Sequence, residues 1–140
     1  PDSVTFGGTV RYFNLDLGQK NIERMTKMIE GVAVGHGVEV EIAYDHGYPP
    51  TTNHEQQAQF ASDVAVEVTG LEARKQPQVM GSEDFAFYLQ DKPGAYAWIG
   101  NGEDTESAQL HNPHYNFNDE ILPIGASYFV RLVETALAKS

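Results

Sequence analysis

Hydrophobic and polar residues alternate along the first dozen positions. Val4, Phe6, Gly8, Val10 and Tyr12 are interleaved with Ser3, Thr5, Gly7, Thr9 and Arg11. A period of two predicts a strand with one buried face. Asn14 to Gly18 then offers capping residues. Ile22, Met25, Ile29 and Val32 follow at helical spacing, with Lys20, Glu23, Arg24, Lys27 and Glu30 largely off that stripe. Gly35 and Gly37 are expected to stop the helix. Val38, Val40, Ile42 and Tyr44 alternate again, with Glu39, Glu41 and Asp45 among them, and predict a second strand. Residues 4–45 therefore read strand–helix–strand. That is too little for a stable module, and it matches half of a split β-α-β unit on the ferredoxin-like plan.

Residues 46–53, His-Gly-Tyr-Pro-Pro-Thr-Thr-Asn, are the clearest break and read as an interdomain hinge. Asn53 with Gln56 three residues on has the form of a capping box. Ala58, Ala61, Val64, Ala65 and Val68 line the inner face of the helix that follows, and Gly70 closes it. Residues 71–77 are charged and expected to be exposed. From Val79 to Leu89 the pattern reads as a strand end, a turn and a helix, with Ser82 as N-cap and Glu83 and Asp84 in the first turn. Residues 92–94, Lys-Pro-Gly, end it. Residues 95–100 read as a short buried strand and Asn101 to Gln109 as a polar loop. A long helix is expected from about Glu120 to Lys139, with Pro123 in its first turn and Ile124, Phe129, Leu132, Val133, Ala136 and Leu137 inward.

Composition narrows the classes. With 140 residues and 41% hydrophobic content, a packed core is within reach. A net charge of -11 argues against non-specific binding to nucleic acid or anionic membrane, because both need a basic face. No run of apolar residues is long enough to span a bilayer. Cysteine is absent, which removes disulfides and thiolate metal sites and is compatible with a cytoplasmic enzyme. The opening Pro1-Asp2-Ser3-Val4 has no initiator Met, basic n-region or apolar h-region, so it reads as neither a natural start nor a signal peptide.

Five histidines carry most of the candidate chemistry: His36, His46, His54, His111 and His114. His36, between two glycines, and His54, at a helix start, read as solvated surface residues. His46 lies at the hinge. His111 and His114 lie in a loop between a polar stretch and a helix, where binding residues concentrate. Imidazole is a common zinc ligand, but a loop histidine bonded to backbone explains the same spacing. Glu83-Asp84 can be read as base plus metal ligand, or as acids at a helix N-terminus. Glu103-Asp104 and Asp119-Glu120 are further acidic pairs, and the helix-dipole reading is the favoured one. Arg11 can bind a substrate carboxylate with its fork or stand as an ordinary exposed arginine.

Two segments carry a resemblance. Residues 80–88, Met-Gly-Ser-Glu-Asp-Phe-Ala-Phe-Tyr, and residues 111–126, from His-Asn-Pro-His-Tyr-Asn-Phe-Asn to Ile-Gly-Ala, resemble the C-terminal signature of the hippurate hydrolase family. These are N-acyl-amino-acid amidohydrolases, metallopeptidases related to aminoacylase and carboxypeptidase G. The resemblance implies an α/β fold in two domains. Residues 1–48 would be the second half of a ferredoxin-like α+β lid or dimerisation domain. Residues 49–140 would be the C-terminal part of a zinc-peptidase-like α/β catalytic domain.

The resemblance implies two divalent metal ions (zinc, manganese, cobalt or nickel), a small N-acyl amino acid or peptide as substrate, and a homodimer formed through the lid. His111 matches the family's last metal ligand, the His before Asn-Pro or Ser-Pro, and His114 matches nothing. Gly81, Glu83 and Asp84 match the Gly-x-Glu-Asp-Phe turn against the substrate pocket, where Arg11 of the lid is a further candidate. The remaining ligands and the catalytic base fall outside the chain. The chain alone is therefore expected to be inactive. The competing expectation is a non-catalytic association module that pairs through the exposed edge of the first strand.

Overall fold

The structure, a computed structural model, describes residues 1–102 and 108–138. Glu103-Asp104, most of the polar loop after Asn101, and Lys139 lie outside the described residues. Four helices form: α1 (Leu15–His36), α2 (Glu55–Thr69), α3 (Phe85–Asp91) and α4 (Leu122–Ala136). A 3-10 turn, Asp119–Ile121, leads into α4. None is long and apolar enough to cross a membrane.

The helices stand where the periodicity puts them, and their ends show why. Asn14 caps α1, its Oδ1 accepting from the Leu17 N–H at 3.1 Å. Gly37 closes it in the left-handed region at φ 62°. Gly35 does not stop the helix, and His36 lies in its last turn instead of in a loop. On the inner face Ala33 is buried and Val32 is 62% exposed, so the stripe runs one residue further than expected. The same face carries Gly18, which is buried under the Tyr12 ring: a Cβ there would lie 2.7 Å from ring carbons.

The expected strands are where the outcome differs. Among the described residues no strand ladder is formed. Val10, Tyr12, Ile42 and Tyr44 are half-buried, which keeps the period of two, but Val4 and Phe6 are 74% and 84% exposed. Residues 95–100 form no ladder among the described residues, and Trp98 and Ile99 are exposed. Alternation selects which face of a segment is apolar. A strand also needs a neighbour to take its N–H and C=O groups.

Two compact units result. One is Pro1–Thr52 with Pro77–Asp91, and the other is Asn53–Gln76 with the described residues from Lys92 on. In the first unit Ala33 of α1 and Ala86 and Leu89 of α3 are buried. In the second, α2 packs on α4. Val64 is buried, and Ala58, Ala61, Ala65 and Val68 are half-buried, as the α2 periodicity requires. The α4 expectation needs correction. Gly125, Tyr128, Arg131 and Leu132 form its half-buried side, while Ile124, Phe129, Val133 and Leu137 are exposed. Among the described residues the helix packs chiefly on α2, so only a narrow stripe of its apolar surface is covered.

Candidate functional site

In the first unit, the turn at residues 80–84 is held from a distance in sequence. Arg11 Nη1 donates to the Met80 carbonyl oxygen at 2.6 Å and to Ser82 Oγ at 3.1 Å. These partners bracket Gly81. Ser82 is not the N-cap of α3, because the helix begins three positions later, at Phe85. Glu83 comes nearest to capping, with Oε1 accepting from the Phe85 N–H at 3.4 Å. The carbonyls of Glu83 and Asp84 accept from the N–H groups of Ala86 and Phe87. Gly81 has open space on its Cα, with only a Val79 methyl 3.9 Å from a built Cβ. Four sequence-derived candidates, Arg11, Gly81, Glu83 and Asp84, are therefore gathered in this unit, with Nη1 of Arg11 engaged by the 80–82 backbone and hydroxyl.

The second unit is organised by side-chain amides that act as strand backbone. Asn53 Nδ2 donates to the Tyr96 carbonyl at 2.9 Å, and its Oδ1 accepts from the Tyr96 N–H at 2.8 Å. Next to it, the His54 N–H donates to the Gly94 carbonyl at 3.1 Å. His54 Nδ1 accepts from the Gly94 N–H at 3.2 Å. The capping box is not formed: His54 is the N-cap of α2 and makes no side-chain cap bond. His54 is half-buried and ties the start of α2 to Gly94; it is not a solvated bystander. No periodic signal could have found this. His46 packs edge-on against Tyr44, with ring centroids 4.9 Å apart.

His111 stands on two consecutive turns. The Asn112 N–H donates to the Gln109 carbonyl at 3.1 Å, and the Tyr115 N–H to the Asn112 carbonyl at 2.9 Å. Asn112 Oδ1 also accepts from the His114 N–H at 2.9 Å. His111 is third in the first turn, the position that favours glycine when φ is positive. It has φ 67° and is, among the described residues, the one non-glycine in that region. A side chain there costs about 1–2 kcal/mol and persists where its surroundings over-determine it, a pattern typical of ligand clamps. His114 carries no such strain.

The donor set bears on the metal. His111 is exposed, and among the described residues neither ring nitrogen is hydrogen-bonded. An imidazole so presented fits as one ligand. Among the described residues no group of three or more His, Cys, Asp or Glu converges, and a catalytic zinc needs three protein ligands. Electrostatic perturbation lies elsewhere. Arg131 donates from Nε to Glu67 Oε1 at 2.9 Å and holds that carboxyl below the usual range. Burial pushes the Tyr128 phenol up, and its O–H donates to the Ala61 carbonyl at 3.3 Å. These groups join α2 to α4 and serve packing. A shallow groove beside them, about 450 Å³ and lined by Val68, Val130 and Arg131 among others, holds no candidate residue.

Comparison with known proteins agrees with the two signature segments. Residues 5–135 match the profile of Peptidase family M20/M25/M40. The chain is 35% identical over 135 residues to hippurate hydrolase of Campylobacter jejuni, covering 94% of the chain and 34% of that protein. It is 34% identical to IAA-amino acid hydrolase ILR1-like 4 of Arabidopsis thaliana, covering 100% of the chain and 35% of the relative. It is 31% identical to N-acetylcysteine deacetylase of Bacillus subtilis, covering 98% and 35%. The chain thus spans about a third of the length of the curated relatives it matches. No solved structure matches it.

Proposed function

The chain belongs to peptidase family M20/M25/M40, and from that premise we propose that the intact protein is a metal-dependent amidohydrolase that cleaves the amide of N-acyl amino acids. Family membership supports metal dependence, since these peptidases in general require a metal. The relatives named above, a hippurate hydrolase, an IAA-amino acid hydrolase and an N-acetylcysteine deacetylase, support the substrate class. They give no support to a pure association module.

His111 holds one of two divalent metals. The observation that carries this assignment is its strained φ of 67° in a turn that precedes Asn112-Pro113. A bound divalent metal supplies polarisation of the scissile carbonyl and an acidified water. The rest of the site, a general base included, comes from other parts of the intact protein. In this chain, the 80–84 turn forms a wall of the substrate pocket, and Arg11 fixes that wall. Residues 1–48 form half of a lid through which two copies associate, and residues 49–140 return to the catalytic domain. The alternating segments and the Pro49-Pro50 break support this division.

Hydrolysis of hippurate and N-acetyl amino acids by the intact protein, before and after chelation, tests the reading. Turnover that chelator abolishes and divalent metal restores is expected, with none from the 140-residue chain alone. Metal-independent turnover, or activity of the chain by itself, would refute it.

A further inference from the structure

The Asn101 side chain meets two residues of one facing segment. Its Nδ2 donates to the Asn116 carbonyl at 2.9 Å, and its Oδ1 accepts from the Asn118 N–H at 2.7 Å. An amide used this way copies the donor and acceptor of a strand residue, so it fixes alternate backbone positions at once. The next residue lies close to the same segment. Gly102 has φ 114°, and a Cβ there would lie 3.4 Å from Asn118 Nδ2. Asn118 in turn accepts the Glu120 N–H on its Oδ1 at 3.1 Å, which starts the 3-10 turn before α4. Asn101 therefore binds the point where the His111-bearing turns end and the helical segment begins.

His111 needs such support. A left-handed φ on a residue with a Cβ relaxes unless the chain on each side is held. Upstream the Gln109–Asn112 bond holds it, and downstream the Asn112–Tyr115 bond runs directly into Asn116. We propose that Asn101 is a positioning residue for the metal ligand: its amide clamps Asn116 and Asn118 and so keeps the His111 imidazole at its binding position. This rests on the reading of His111 as a ligand. Asn53 is the internal control, because its amide also makes two backbone bonds, both to Tyr96, outside the His111 turns.

The test is zinc affinity of the intact protein, measured by competition with a chromophoric chelator below each variant's unfolding midpoint. Asn101→Ala should weaken zinc about 10- to 100-fold, the usual effect of losing a residue that orients a ligand. Asn101→Asp keeps the acceptor for the Asn118 N–H and should recover part of the loss. It carries the test where the alanine variant does not fold. Asn53→Ala should lower the midpoint and leave zinc affinity unchanged. Wild-type affinity in Asn101→Ala beside a loss in His111→Ala overturns this inference alone, as does an equal loss in Asn53→Ala. Wild-type affinity in His111→Ala overturns the ligand reading and this inference with it.

Discussion

Arg11 and Met80 lie 69 positions apart in the chain and are joined by a hydrogen bond of 2.6 Å. A carbonyl facing a guanidinium is a charge-assisted pair, and an exposed one is worth about 1 kcal/mol. Arg11→Ala should therefore destabilise the protein by about that much in urea unfolding. Ser82→Ala should cost less, since the Met80 bond remains. An Arg11→Ala variant of unchanged stability but sharply raised KM would instead make Arg11 a direct carboxylate clamp.

The Gly18–Tyr12 contact gives a sign reversal. Alanine is favoured over glycine in a helix by about 1 kcal/mol, but a Cβ at Gly18 would lie 2.7 Å from the Tyr12 ring. Overpacking of that kind costs about 1–3 kcal/mol. Gly18→Ala should lower stability in the wild type and raise it in a Tyr12→Ala background. A double-mutant cycle by chemical denaturation reads the difference. Stabilisation in both backgrounds would remove the contact from the account.

The α2–α4 ion pair sets a pH dependence. Arg131 lowers the folded-state pKa of Glu67 by hydrogen bonding. A depressed carboxyl stabilises the fold above its unfolded pKa and loses that contribution as pH falls through the folded value. Stability should thus fall on the acid side of the ordinary glutamate range, and Glu67→Gln should flatten that limb of the curve. The pair is open to solvent, so 1 M salt, with a screening length of about 3 Å, should reduce the effect. Unfolding midpoints against pH check both.

Backbone strain at His111 makes a fourth stability prediction. Glycine meets no penalty at φ 67°, so His111→Gly should be more stable than His111→Ala by about 1 kcal/mol. Alanine equal to glycine would mean the turn relaxes without the imidazole.

The helices were legible because their signals are local. The α2 face from Ala58 to Val68 and the glycine ends at Gly37 and Gly70 follow from spacing and backbone freedom alone. The family was legible in two contiguous segments, and His111 stood out within one of them. The amide clamps of Asn53 and Asn101 were not legible, because each pairs with backbone 15 or more positions away and leaves no periodic trace. Asn53 looked like a helix cap since caps and strand mimics use the same side chain. The strands were misread for a related reason: alternation records a one-sided environment, while pairing depends on a partner segment. The α4 face was misplaced because so apolar a helix offers several candidate stripes, and contact with α2 selected the one through Tyr128.

The ligand role of His111, as opposed to His114, is tested most directly by counting metal. Zinc bound per chain should be measured in the intact protein for wild type, His111→Ala and His114→Ala. Loss of one tightly bound equivalent is expected in His111→Ala, with full retention in His114→Ala. Full retention in His111→Ala, or loss in His114→Ala alone, would contradict it.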